Sequence, residues 1–491
     1  MIAHFHRPFA FLLIALAMFP SRAFAQLSVP GKLMTYRTVD SDSGEELQRM
    51  RVWEATDGLA TAEVTDATYP TGTQVISECA FAHGFGRSAT SFRSVMRSAN
   101  GELERSDFDT FDPMYYPFLA QPITTDMQPE TCLAKRALDL PALVRGAETT
   151  MWIWSDSGLI GAIFHREDND RLTVAAGTFD ALRIRIDTDL SKVFPRVPAL
   201  FLKLIKPHFT IWITRAEPYY VLKMEGFGSE RSSQHHNTAI ELASMSELTA
   251  IDSKTLPELT QVDAAGADPH LTTVNSGRFA QGDRSGRLTL ATAATPEGEL
   301  LLTHVAFSNG LTTETRSLID RRASPVTAYL DDRSFGVSGV LVRKHVLFFR
   351  KAAFPGDPTK DLPADLYGGD MTLGLVLPRL LPEGAHQASF HVMDFYGQVN
   401  QLTISEEGPT NVALASDDMR AIHTKLKPIV DVPLLLRPLA YFFIPSFDAY
   451  FDLDGSHRLL KFEGPIGPPG VPNATMIADE KVPPSQASRH R

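Results

Sequence analysis

The sequence predicts a mainly β protein: two tandem antiparallel curved-sheet or half-barrel domains related by internal duplication, with few short helices. Three observations lead there. A twenty-residue stretch occurs twice, PHFTIWITRAEPYYVLKMEG at 207–226 and PSFDAYFDLDGSHRLLKFEG at 445–464, aligned without a gap. Short runs elsewhere alternate apolar and polar residues between turn residues, the mark of half-buried strands. The chain has 491 residues, too many for one ordinary domain and enough for two, each with its own core.

The repeat is the best-defined element. Six pairs are identical: Pro207/Pro445, Phe209/Phe447, Leu222/Leu460, Lys223/Lys461, Glu225/Glu463 and Gly226/Gly464. Trp212/Tyr450, Ile213/Phe451, Val221/Leu459 and Met224/Phe462 are conservative. Side chains of a strand alternate between faces, so Phe209, Ile211 and Ile213 share one face and Thr210, Trp212 and Thr214 the other. The second copy divides in the same way. Turns at Ala216–Pro218 and Asp454-Gly455 complete two β-hairpins. Register then demands that Met224 and Phe462 face a core while both Lys-x-Glu pairs face away.

Residues 1–25 read as an export signal, with His4, His6 and Arg7, an apolar run inside Pro8–Pro20, and Ala23-Phe24-Ala25 before a cut at Gln26. The apolar run is short of the ~20 residues that span a bilayer, and no later run predicts a transmembrane segment in the mature chain. The expected address is the periplasm, with secretion as the alternative. The formal charge is −11 and becomes two units more negative without Arg7 and Arg22. Such a balance excludes nucleic acid as a partner, since that binding rests on Lys and Arg at phosphates.

The first β-domain is expected at 26–248, a linker at 249–286, the second β-domain at 287–472 and a disordered tail at 473–491. Within the first, strands are expected near Met50–Glu54 and Thr73–Cys79. Ser106–Pro113 (SDFDTFDP) reads as an acidic loop, and Ala134–Val144 as a short helix. A meander follows through Thr150–Trp154, Leu159–His165, a turn at Arg166–Asp170, Leu172–Ala176 and Phe179–Asp187. The second domain repeats it through Ser389–Met393, Gln398–Ser405 and Ala421–Leu426, after strands at Tyr329–Asp332 and Gly339–Arg350.

Two apolar, proline-bounded connections stand before the repeated hairpins, VPALFLKLIKPHF at 197–209 and VPLLLRPLAYFFIPSF at 432–447. Connections usually run over the surface and are polar. Each of these either plugs its own barrel or packs on the other domain, or else forms the lip of a cavity or a lipid-touching surface. On the second reading the candidate ligand residues are Leu200, Phe201, Leu204, Phe209 and Trp212, with Leu435, Tyr441, Phe442, Phe447 and Tyr450. The two cysteines, Cys79 and Cys132, are expected to pair in an exported chain, with two buried thiols as the alternative. The loop of about 50 residues between them corresponds to roughly 4 kcal/mol in the chain-entropy model.

Three stretches of the first domain stand out: Leu140–Gly146 (LPALVRG), Gly177-Thr178-Phe179 before an alternating strand, and Trp212-Ile213-Thr214 leading through Pro218 to Lys223-Met224-Glu225-Gly226. On these residues the domain resembles an exported bacterial family catalogued as domain of unknown function 3108. The likeness covers roughly Gly31–Leu248 and, more weakly, Leu288–Pro472. The second copy departs from it, with Ala415-Ser416-Asp417 at the Gly-Thr-Phe position and Tyr450 for the Trp. The resemblance implies a curved antiparallel sheet around an apolar interior, similar in outline to periplasmic lipoprotein-sorting domains, and no catalytic residues.

Catalytic signatures are missing. Gly336-Val337-Ser338-Gly339 fails the spacing of a nucleophile elbow, and no zinc, P-loop or dinucleotide motif occurs. Asp107, Asp109 and Asp112 lack the central Gly and distal Glu of a calcium loop and read as solvated acids. His235-His236 reads as a polar edge, and His165 with Glu167, Asp168 and Asp170 as a solvated turn. No cofactor or metal is expected. The leading expectation is a non-catalytic envelope protein binding or transporting an amphipathic or lipid-like ligand. The alternatives are an envelope lipid- or glycan-processing enzyme with an unfamiliar site, and an envelope assembly or scaffold protein that meets a protein partner.

Overall fold

A computed structural model describes residues 30–56, 60–82, 89–111, 127–129, 146, 148–155, 158–189, 208–217, 219–226, 238–249, 270–320, 322, 326–349, 353–354, 357–368, 377, 380, 385–393, 399–414, 417–429, 446–453, 458–465 and 472–480. The expected signal 1–25, the helix at Ala134–Val144, the Asp454-Gly455 turn, His235-His236, Asp112 and nearly all of both apolar connections lie outside these residues.

The first half contributes β1 (Lys32–Asp40), β2 (Glu46–Thr56), β3 (Ala60–Thr68), β4 (Gln74–Ala82), β5 (Ser91–Arg97) and β6 (Leu103–Asp109). After these come β7 (Met127–Pro129), β8 (Thr149–Ser155), β9 (Gly158–Val174), β10 (Gly177–Asp189), β11 (His208–Thr214), β12 (Val221–Glu225) and β13 (Thr238–Glu247). The second half opens with β14 (Thr272–Gln281), β15 (Arg284–Thr295), β16 (Gly298–Phe307), β17 (Thr312–Ile319), β18 (Thr327–Phe335) and β19 (Leu341–Phe348). A small ribbon pairs β20 (Ala353–Phe354) with β21 (Asp357–Asp361). The remaining strands are β22 (Leu366–Gly368), β23 (Gln387–Met393), β24 (Val399–Ala413), β25 (Asp418–Pro428), β26 (Phe447–Asp452), β27 (Leu459–Pro465) and β28 (Asn473–Ala478).

All strands except the ribbon form one 26-stranded sheet. From one edge the first half runs β7 to β13 in sequence and then β1 to β6, because β13 pairs with β1. The second half has the same order, β22 to β28 and then β14 to β19, because β28 pairs with β14. The halves meet at β6 and β19, the same strand of each. Every pairing is antiparallel except the two outermost, β7–β8 and β22–β23.

Each half curls so that its inner faces share a core. In the first, Met34, Tyr36, Val52 and Val75 from β1–β4 meet Phe164, Ile184, Ile211, Met224 and Leu242 from β9–β13, all buried. Tyr36 lies wholly inside and donates its hydroxyl to the Val221 carbonyl at 3.0 Å. In the second, Leu288, Leu301 and Val305 meet Phe390, Ile404, Leu426, Phe451 and Met476. Its edge strand β22 folds back onto β18, where Thr327 Oγ1 donates to Leu366 O at 2.9 Å and accepts from Gly368 N at 3.0 Å. The expected half-barrel is here nearly closed, by the Thr327 side chain and one backbone bond, Val326 N to Ala364 O at 3.1 Å, in place of a ladder.

Several boundaries differ from expectation. The linker at 249–286 contains all of β14 and the start of β15, so the second set of strands begins at Thr272 instead of 287. Glycines explain the polar look of this region: a Cβ on Gly277 or Gly286 would lie 2.3 Å from a carbonyl oxygen of the neighbouring strand. The tail expected to be disordered from 473 begins with β28, which pairs with both β27 and β14 and buries Ala474, Met476 and Ala478. The turn at Arg166–Asp170 is the middle of the 17-residue β9, whose Glu167 bonds Arg183 at 2.7 Å. Acids there satisfy arginines of the adjacent strand, which composition alone reads as a loop. No α-helix occurs among the described residues.

Candidate functional site

Of the ten apolar residues singled out from the sequence, Leu200, Phe201, Leu204, Leu435, Tyr441 and Phe442 lie outside the described residues. The other four divide between two surfaces. Phe209 is buried in the first core beside Ile211. Trp212 sits on the opposite face, where its Nε1 donates to Asp170 at 2.9 Å and Lys223 lies 5.8 Å from its ring. Tyr450 occupies the matching outer position, stacked on His423 at 4.6 Å with Lys461 at 5.5 Å. Trp212 lies three positions after Phe209, an odd step that period two sends to the other face. Trp212 and Tyr450 therefore stand on the outer face of their strands, Trp212 still packed into the first buried cluster and Tyr450 against Val412, Leu414, Ala421 and Leu460. Of the two cysteines, Cys79 is buried in β4 and Cys132 lies outside the described residues.

What remains of the apolar candidate is a rim on the second barrel. Phe447 opens β26 and is half-buried, its ring 6.0 Å from that of the half-buried Phe462 on β27. Gly464 lies directly beneath: a Cβ there would come within 2.7 Å of the Phe447 ring. Ile429, just past the end of β25, is 37% exposed. Ile429 and Phe447 thus flank the segment 430–446 that carries the apolar connection. Below this rim Leu426, Ala449, Phe451 and Met476 fill the interior. Elsewhere an open groove of about 790 Å³ at the β15–β16 turn is lined by Thr295, Glu297, Glu299, Asp320 and Arg322 among others. It is as polar as it is apolar and encloses nothing.

The densest chemistry lies at the joint between the halves, and the sequence reading missed it. The expected acidic loop is strand β6, inserted between β5 and β19, so Ser106 and Asp107 are buried instead of solvated. Asp107 faces His345 across the joint, Ser94 faces Asp107 from β5, and Asp332 faces His345 from β18. His345 Nδ1 meets Asp107 Oδ1 at 2.9 Å. Arg343 Nε donates to His345 Nε2 at 2.8 Å, and Arg105 Nε grips both Asp107 oxygens at 2.9 and 2.8 Å. A guanidinium can only donate, so Nε2 accepts, Nδ1 carries the proton, and the imidazole is neutral with both nitrogens engaged. Thr315 Oγ1 donates to Asp332 Oδ1 at 3.0 Å. Burial pushes the Asp332 carboxyl up from its ordinary range, against the pull of the Arg343 guanidinium and the Thr315 bond.

On the other face of the same strands Asp331, fully buried, holds Arg333 at 2.5 Å, and Lys344 is buried alongside. A general base needs an open lone pair within reach of substrate. This histidine has none, and its neighbours are committed to one another. The cluster is suited to holding strands together. A sequence signal for it existed: Asp107 and His345 are 238 residues apart, the shift of the repeated hairpin.

No helix among the described residues is long and apolar enough to cross a membrane. No family model and no curated protein matches the chain. Solved structures overlap it in part. A β-barrel-like protein of domain of unknown function DUF1849 from Brucella abortus is 10% identical over 43% of this chain and 98% of its own, with a TM-score of 0.27. A protein with a YmcC-like fold from Bacteroides fragilis is 9% identical over 46% of this chain and 100% of its own, at 0.18. MucB of Pseudomonas aeruginosa, solved with MucA, is 10% identical over 69% of this chain and 92% of its own, at 0.15. Overlaps this low carry no functional argument.

Proposed function

We propose that this chain is a non-catalytic, periplasmic protein of the cell envelope, built from two copies of one β-barrel unit. Its ligand is amphipathic or lipid-like and docks at the rim where the apolar connection leaves the second barrel. The observation that carries the ligand is the half-covered rim of Ile429, Phe447 and Phe462 above a filled interior. A shallow apolar shelf next to water favours a molecule with one apolar and one polar part over a wholly enclosed one. The export signal and the likeness to domain of unknown function 3108 support the address. Duplication is supported by the strand order common to both halves. It is also supported by a shared irregularity, a register shift at Trp212/Ile213 in one hairpin and at Tyr450/Phe451 in the other.

The filled interiors favour a second reading, an assembly or scaffold protein whose partner is another protein. The two separate in one experiment, titration of the purified chain with a fluorescent fatty-acyl probe alongside native mass spectrometry of copurifying lipid. Saturable probe binding is expected, weakened tenfold or more by Phe447→Asp and unchanged by Trp212→Leu on the outer face of the first barrel. No probe binding and no copurifying apolar molecule would sink the ligand and leave the scaffold. Turnover of an envelope lipid or glycan would sink both and establish an enzyme.

A further inference from the structure

The joint between the halves has the form of a symmetric dimer interface drawn into one chain. Of all the strands in each half, the one that crosses to the other half is the same strand, and it crosses antiparallel. Pairing of equivalent antiparallel strands maps onto itself when the halves are exchanged, which is the condition of a two-fold contact. Asp107 and His345, opposite one another at its centre, are equivalent positions at the 238-residue shift. Leu103/Leu341 and Arg105/Arg343 are identical pairs at that shift. Each arginine reaches two residues along its own strand to the central residue, Arg105 to Asp107 and Arg343 to His345.

We propose that this strand is a docking edge for a second copy of the same unit, and that the Asp107–His345 pair restricts it to the unlike half. The inference rests on the duplicated unit and is independent of the ligand. The discrimination follows from counting what exchange would change. In the joint, Asp109 faces Arg343 and Arg105 faces Leu347. Were β6 of one molecule to pair with β6 of another, and β19 with β19, Arg105 would face Asp109 and Arg343 would face Leu347. The number of Arg–Asp and Arg–Leu contacts is the same either way. Only the centre changes: two Asp–His bonds become one Asp–Asp and one His–His contact. Two buried carboxylates face to face repel, and two imidazoles between arginines lose their acceptor. The unlike pairing is selected by penalising the like one.

The experiment uses the full chain, urea unfolding and native mass spectrometry. Asp107→His sets His against His, and His345→Asp sets Asp against Asp. Each is expected to shift the unfolding equilibrium roughly a hundredfold toward the unfolded state. The reciprocal exchange D107H/H345D should recover most of that loss. Adding S94D and D332S, which exchanges the flanking pair as well, should recover the remainder, because it takes away the Asp332 carboxylate that would face the newly placed one. Refolded together from urea, the two single variants should form a one-to-one hybrid dimer that neither forms alone, since each supplies what the other lacks. Single variants as stable as the parent would overturn the proposal. So would exchanges no more stable than the weaker single variant, or hybrids no more abundant than self-dimers.

Discussion

The hairpins β11–β12 and β26–β27 share their backbone and differ in their cover. Both carry a cation over an aromatic ring on the outside, Lys223 on Trp212 and Lys461 on Tyr450. Both close that face with a Lys–Glu pair, at 2.7 and 2.9 Å. Inside they diverge. Met224 is 1% exposed and Phe209 is buried, whereas Phe462 and Phe447 at the same positions are half-buried. The frame of the hairpin is set by register, while how far its inner face is sealed is set by what packs above it. One copy has been left with an apolar rim to spare, which is where the proposed ligand would dock.

The comparison breaks most visibly at the inner face. Met224→Asp places an unpaired carboxylate in a sealed core and should cost roughly 3–5 kcal/mol, enough to unfold the first barrel. Phe462→Asp, where water reaches the side chain, should cost about half as much or less. Equal losses in urea unfolding would erase the difference between the rims.

The second contrast lies at Cys79 and Ser317, equivalent positions facing Phe92 and Leu330. If Cys79 is paired with Cys132, reduction should destabilise the first barrel only, by as much as ~4 kcal/mol, seen as a lower melting temperature. A count of two reactive thiols in the native protein would refute the pairing. Ser317 is fully buried and its hydroxyl has no hydrogen-bond partner. Ser317→Ala should therefore stabilise the second barrel, by about 1 kcal/mol. A loss of stability would show a partner for that hydroxyl.

The third contrast is Ser94 against Asp332. A carboxyl whose pKa is raised in the fold contributes stability that is present below its unfolded value and lost as pH rises through its folded value. Burial raises Asp332 above the ordinary 3.8, so the parent should lose stability as pH rises beyond the usual carboxylate range. Asp332→Asn keeps the acceptor for Thr315 and should flatten that decline. Urea midpoints from pH 4 to pH 8 decide it, and parallel profiles for parent and variant would contradict the sign.

The smallest effects belong to the outer ladders. Lys223→Gln and Lys461→Gln should each cost under about 1 kcal/mol, since both side chains are partly exposed. For Lys223, burial works to lower the pKa and the Glu225 and Glu241 carboxylates outweigh it, so the ammonium is raised overall. Its contribution should be complete below the ordinary lysine range and fade only above it. A Lys223→Gln loss as large as that of Met224→Asp would mean the ladder is more than surface pairing.

The hairpins were readable because apolar and charged residues alternate cleanly in them, from Phe209 to Glu225 and again from Phe447 to Glu463. β18 and β19 were also expected as strands, at Tyr329–Asp332 and Gly339–Arg350, their buried charges notwithstanding. β6 was not, because Asp107 and Asp109 resemble loop acids until Arg343 and His345, more than 200 residues further along the chain, are brought beside them. β14 and β28 were lost to their small side chains: Gly277, Ala474 and Ala478 bury little area yet fit where strands approach closely. The apolar candidates Trp212 and Tyr450 were placed by residue type, and the period of the strand reassigns them to the outer face.

The joint also sets the order in which this protein can be completed. β1 must wait for β13, with Lys32 meeting Glu247 215 residues later, before the first barrel closes. The β6 edge waits 238 residues for His345. Contacts this distant in sequence form slowly, because the intervening chain must be made and its loop closed first. A molecule emerging N-terminus first therefore carries a completed first sheet whose β6 edge stays unpaired for as long as the second half takes to appear. Arg105, Asp107 and Asp109 on one face of that edge keep it soluble in the interval, as charges on exposed edges do. The residues that join the finished halves thus act first as guards of an unfinished one.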